Sequence, residues 1–390
     1  MTSPTILRTA LTVWLLPVAV ATAQPASPGT AQQEVAAPGG NPQQELANAP
    51  ETGLGTTYGG EINSKIQLDG RFNPTRSGYA ELYAKSVVTA YVNIGNAVSF
   101  RAEGTYERFR NQSSTTAFNS QGLYLSQLYA SYTAGPITAY AGKLHPRFSV
   151  GYDLASGIYD TFANDYEQKE RLGAGALINL APALGRHILS AELYTRDNSV
   201  LGRALFSNPN PNDPAVLRAG RPRLRQGGAG NTGTLNNFDV ALDGSRLPGL
   251  EQLRYHLGVS RQSVSQLGER AETGVTAAVS YAFKPTPRIE VIPLVEYAHF
   301  SNYDGAAGEV REYVVSAVEF DYRTYALSFT VAPRRVATPG TRQRWDLQYG
   351  TTLSYIVMPR LVVSAGYLRT RDAGQIENTA GTAINYILRF

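Results

Sequence analysis

The chain has 390 residues, 35 basic against 31 acidic, with a formal charge of +4, a length that fits one large barrel or about two to three ordinary domains. Cysteine is absent, which excludes disulfides and thiolate metal sites. Twenty-four tyrosines and 37 glycines against two methionines favour strands and turns; the mean hydropathy of −0.23 suits a soluble chain or a barrel whose polar lining offsets an apolar outside.

Arg8, an apolar run from Leu11 to Val20 broken by Thr12 and Pro17, and Ala21-Thr22-Ala23 read as a secretory signal peptide over residues 1–23. The run is shorter than the roughly 20 residues of a helical span. No later segment is a candidate for one, so export combined with strand signals points to the bacterial outer membrane. Residues 24–57 are rich in Pro, Gly, Ala and Gln and cannot bury enough surface to offset chain entropy. They are expected to form a disordered periplasmic leader before a barrel over 58–390.

From Glu61 to Phe72 every odd residue is charged or an amide, while Ile62, Ile66, Leu68 and Phe72 fall on the even face. Twelve such residues suit a tilted membrane strand of about 9–11 residues better than a soluble strand of about 5–6. Similar segments follow at Tyr79–Ile94, Val98–Arg110, Leu123–Ala134, Ile137–Leu144, Arg171–Leu180, Ile188–Arg196 and Phe238–Arg246. Eight more lie at Leu253–Gln262, Thr273–Phe283, Ile289–Phe300, Glu312–Tyr322, Tyr325–Pro333, Arg344–Tyr355, Leu361–Thr370 and Thr379–Phe390. Their links alternate short and long, and the long set runs from Asn73–Gly78 to Arg371–Asn378. A β-sandwich would also place short strands at regular intervals without that alternation. The pattern predicts an all-β, transmembrane, antiparallel up-and-down β-barrel of about 16 strands, with both termini in the periplasm.

Thr273, Val275, Ala277 and Val279 are expected to meet lipid, as are Trp345, Leu347, Tyr349 and Leu353. The opposite faces carry ionisable groups, among them Lys85, Arg101, Arg171, Glu296, Asp346 and Arg369. That many charges would be ruinous in a dry core, so they should line water, and about 16 strands leave room for a channel.

One link stands apart. Gly142-Lys143-Leu144-His145-Pro146-Arg147-Phe148 leads through Asp153 and Asp160 to Asp165-Tyr166-Glu167 and a Gly/Ala-rich strand from Gly173 to Ala176. This stretch resembles the third-loop region of Gram-negative outer-membrane porins, most closely the phosphate-selective porin O/P type. Residues 379–390, ending in Phe390, likewise resemble the closing strand of an outer-membrane barrel, an end that the barrel assembly machinery reads. The resemblance implies that a loop over about 145–170 folds into the lumen. Lys143, His145, Arg147, Asp153, Asp160, Asp165 and Glu167 would then lie at or near a constriction, with Lys143 and Arg147 facing acids across it. It also implies a homotrimer. The alternative for this loop is an external position with solvated charges.

The function expected is passive diffusion of small hydrophilic solutes or ions, without cofactor and with weak or no anion preference, since the lumen mixes signs. The alternatives are a channel specific for phosphate or a sugar, and a non-conducting barrel acting as adhesin or receptor. Arg218, Arg221, Arg223 and Arg225 in the 197–237 link, with Arg334, Arg335, Arg342 and Arg344 around a later one, are expected in such a placement to face lipopolysaccharide phosphates or plain solvent rather than nucleic acid. Whether the 197–237 link enters the pore is left open by its sequence. His145, His187, His256 and His299 lack metal-ligand spacing, and no enzymatic motif is present.

Overall fold

Strand alternation of this length forces a sheet with one greasy and one wet face, and closing it removes both edges. The computed structural model describes residues 56–390 apart from 74–75, 110–113, 156, 181–182 and 209–223. The expected signal peptide and nearly all of the leader lie outside the described residues, as do Arg218, Arg221 and Arg223. The wall has sixteen antiparallel strands. They are β1 Thr56–Asn73, β2 Arg76–Ile94, β3 Val98–Arg108, β4 Gln121–Ala134, β5 Ile137–Leu144, β6 Arg171–Leu180, β7 Arg186–Arg196 and β8 Asn237–Leu247. The second half comprises β9 Leu250–Gln262, β10 Glu272–Tyr281 with a continuation at Phe283–Thr286, β11 Ile289–Ser301, β12 Val310–Tyr322, β13 Tyr325–Ala337, β14 Arg344–Met358, β15 Leu361–Asp372 and β16 Gln375–Arg389. Each strand pairs with its sequence neighbours, and β16 closes on β1 from Glu61↔Arg389 to Phe72↔Asn378.

The predicted facing holds along β10, where Val275 and Val279 are 44% and 46% exposed while Glu272 and Thr276 are buried at 4% each. On β1, Ile66 and Leu68 face out and Asn63, Gln67 and Asp69 face in. A bulge in the middle of β4 interrupts the rule. The β3–β4 register shifts between Glu103 and Gly104, so Ser126 and Gln127 of β4 are both buried, and the outward residues change parity from Leu125 to Leu128.

Two expectations need correction. The links expected to be long at Asn73–Gly78 and Arg371–Asn378 are tight, because Asn73 pairs with Arg76 and Asp372 with Gln375. Ala373 and Gly374 both take positive φ, 47° and 80°, the requirement of a two-residue hairpin turn whose twist matches the strands. Arg369, expected in the lumen, is on the outer face: it pairs laterally with Tyr349 and Asn378, and Tyr349 is an outward residue, 40% exposed.

The described parts of the 197–236 link are bonded to the barrel. Ala204–Asn208 adds to β4 beside Gln121–Tyr124, beyond the point where β5 has ended. Farther along the link, Ala229 and Asn231 are fully enclosed; the Gly230 N–H donates to Ser263 O and the Gly230 carbonyl accepts from Arg196 N.

Candidate functional site

The 145–170 loop enters the barrel because the wall offers it both donors and space. Past Leu144, the Phe148 ring packs on Phe300 with centroids 5.5 Å apart. Its carbonyl accepts from His256 Nε2 at 2.9 Å and from Thr276 Oγ1. Those wall positions are open because Gly258 and Gly274 lie alongside: a Cβ on Gly258 would collide with the Phe148 carbonyl, and one on Gly274 would come 2.8 Å from its ring. Arg147 donates through Nε and Nη2 to the two oxygens of Asp243 on β8.

The chain then turns through one helical turn at Gly151–Leu154. Glu296 of β11 holds it, accepting from Val150 N at 2.8 Å and Gly151 N at 2.9 Å on one oxygen and from the Tyr166 hydroxyl at 2.7 Å on the other. Farther across, Ile158 N donates to Thr352 Oγ1 of β14 at 3.2 Å, while Lys65 Nζ of β1 donates to Ile158 O at 3.3 Å. Tyr159 donates to Asp69 of β1. A 3-10 turn at Phe162–Asp165, with Thr161 accepting from Ala163 N, returns the loop. There Asp165 meets Arg334 of β13 at 2.7 Å, and the Arg334 guanidinium lies 4.1 Å above the Phe162 ring. Phe148, Phe162, Ala163 and Tyr166 form one buried cluster with Phe300, Tyr313 and Val315 of the wall. The loop is thus tied to β8 through β11, to β13 and β14, and to β1 across the barrel.

The charges left facing the lumen are unevenly placed. Asp160 is exposed; burial would raise its pKa, but Lys85, Lys65 and Lys169 together hold it below the usual carboxylate range. Lys85 of β2 reaches the Tyr152 hydroxyl at 3.4 Å and Glu107 at 3.6 Å. Lys169 pairs with Glu167 and lies 3.7 Å over the Tyr152 ring. Asp153 is pushed up to about 6 by burial, against the pull of Arg147. Burial, with Lys169 and Lys143 adding repulsion, keeps His145 well below its ordinary value and therefore neutral. Arg101 is a buried residue of the inner face of β3, and Arg171 bonds to Gln262 at 3.2 Å behind the loop.

Lys143 is the residue that the structure moves furthest from expectation. It pairs laterally with Leu128 and Leu172, and Leu128 is outward. Its ammonium is fully enclosed between Glu170 and Asp197, each at 2.8 Å, and donates to Leu201 O. Lys143 therefore ties the roots of two loops behind the wall instead of facing acids across the channel. Sequence reasoning placed Glu296 and Asp243 in the lumen without their roles as loop anchors, and it gave no role to His256 or Phe148. Their one sequence signal is the run of aromatics within the loop.

A closed strand cylinder, apolar outside, with a charged interior crossed by one of its own loops, has the architecture of a bacterial outer-membrane β-barrel. No protein-family model and no curated protein matches the chain. Solved structures do. The outer-membrane channel DcaP of Acinetobacter baumannii aligns over 87% of this chain and 99% of its own, with 12% identity and a TM-score of 0.58. OprB of Pseudomonas putida aligns over 90% and 97%, with 11% identity and a TM-score of 0.54. A loop-deleted form of OmpT, an outer membrane protein of Vibrio cholerae, aligns over 85% and 99%, with 8% identity and a TM-score of 0.52. At such identities the likeness is one of fold.

Proposed function

We propose that the protein is an outer-membrane channel of the porin type, through which small hydrophilic solutes or ions diffuse passively, and that the 145–170 loop is its constriction. The observation that carries this reading is the loop's path. It is anchored to the inner faces of strands on opposite sides of the barrel, and it leaves Asp160, Asp153, Lys65 and Lys85 around the remaining passage. Both signs are present there, and Arg147, Arg334 and Lys169 are each paired with carboxylates. This supports weak selectivity and gives no basis for a dedicated phosphate path.

Planar-bilayer recording of the purified protein tests it. A stable ohmic conductance is expected, with a reversal potential near zero in a salt gradient. Block by one sugar or by phosphate would instead establish a specific channel, and no conductance at all would leave the adhesin or receptor role.

A homotrimer fits one further feature. Ala90, Val92, Phe100, Leu128, Ala130 and Ala141 line a shallow apolar groove of about 380 Å³ on the outer face of β2–β5, where small side chains let another wall approach closely. Cross-linking through Ala90→Cys in native membranes should yield subunit-linked species if that face is shared.

A further inference from the structure

Arginines on the outside of a membrane barrel need a partner, and the outer border of β13–β15 carries three. Arg335 pairs laterally with Trp345, Leu347 with Arg371 and Tyr349 with Arg369, so all of them share the outward face. Arg335 and Trp345 stand ten residues above the outward Tyr325 and Tyr355 of the same strands (335 − 325 and 355 − 345). At about 3.3 Å per residue and a tilt of about 40° this is roughly 25 Å, the height of the apolar belt. The group therefore sits at the border of the belt opposite the termini, which is the extracellular one in an even-stranded barrel.

Arg335 is neutralised by Glu312 at 2.6 Å. Among the described residues, Arg371 donates to the Trp345 carbonyl at 3.4 Å and no carboxylate pairs with Arg369 or Arg371. Nearby Asp346 and Asp372 are engaged by Arg334 and Arg344. Two guanidiniums without acidic partners, beside an indole at a membrane border, present a fork matched to phosphate oxygens.

We propose that Arg369 and Arg371, with Trp345, form a binding site for the phosphates of lipopolysaccharide in the outer leaflet. The proposal rests on the outer-membrane placement and not on conduction. Lipopolysaccharide is the chosen source because the site faces the leaflet in which it is the anionic lipid.

The test is native mass spectrometry of the detergent-purified protein titrated with bisphosphorylated lipid A. The variants are Arg369→Gln/Arg371→Gln and, as a control at the periplasmic rim, Arg288→Gln/Arg323→Gln. The outer double variant should bind lipid A at least about tenfold more weakly, the loss expected from removing charge-assisted contacts, and the control should bind as wild type. Dephosphorylated lipid A should bind wild type as weakly as lipid A binds the outer variant. Equal binding by wild type and outer variant overturns the proposal, as does equal displacement by phosphatidylglycerol or free phosphate. Heat-modifiability on gels confirms that each variant is folded. Conductance of the same preparations in lipopolysaccharide-free bilayers reports on the channel reading separately.

Discussion

Glu296→Ala tests whether the loop is held across the lumen by the contacts described. The substitution removes the acceptor for two backbone amides, Val150 N and Gly151 N, and for the Tyr166 hydroxyl. The hydroxyl can rotate to another partner, but the amides cannot. Two buried donors left unsatisfied cost about 2–6 kcal/mol at about 1–3 kcal/mol each. Against this stands the burial of Phe148 and Phe162, both enclosed, which is worth about 1.5–3 kcal/mol apiece. The two sums are comparable, so the middle of the loop should exchange between docked and undocked states while the wall is unchanged. Single-channel recording should then show larger current fluctuations and a higher mean conductance than wild type, with Glu296→Gln intermediate because its amide oxygen still accepts. A steady trace at wild-type conductance, from a variant whose folded barrel is confirmed by heat-modifiability, would refute the assignment of Glu296 as the loop anchor.

Four other substitutions probe three separate parts of the account. Val279→Arg puts a cation on the lipid side of β10 and should destabilise the inserted barrel by about 2–4 kcal/mol if the site is near mid-membrane, whereas Ser280→Arg, on the lumen face, should be tolerated; urea titration in lipid vesicles measures both, and equal tolerance would contradict the facing. Lys143→Met leaves Glu170 and Asp197 buried without their cation and should cost about 3–5 kcal/mol, read as earlier thermal unfolding. Asp153, raised to about 6 by burial, is neutral below that pH and negative above it. Cation preference in a KCl gradient should therefore rise as pH passes upward through about 6, and Asp153→Asn should flatten that step.

The wall was written locally. A period of two in side-chain polarity fixes which residues meet lipid, and turn residues at regular intervals fix where the chain reverses, so strand number and facing along β1 and β10 could be read without coordinates. Arg369 shows the limit of equating charge with lumen. Continuing the alternation upward from Val363, Ala365 and Tyr367 places it outside, as the structure does, because strand parity overrides polarity at the membrane border. The bulge at Ser126–Gln127 was likewise invisible, since one extra residue in a sheet shifts parity without changing composition.

The path of the 145–170 loop was decided only by tertiary structure. Its acids and aromatics marked it as unusual, yet their partners Asp243, His256, Glu296, Thr352 and Asp69 are scattered over strands brought together only when the barrel closes. Lys143 is enclosed for the same reason, by an aspartate at the root of another loop. Local sequence therefore determined the cylinder and its two faces through backbone periodicity, whereas the passage inside was set by long-range hydrogen bonds and ion pairs that periodicity does not encode.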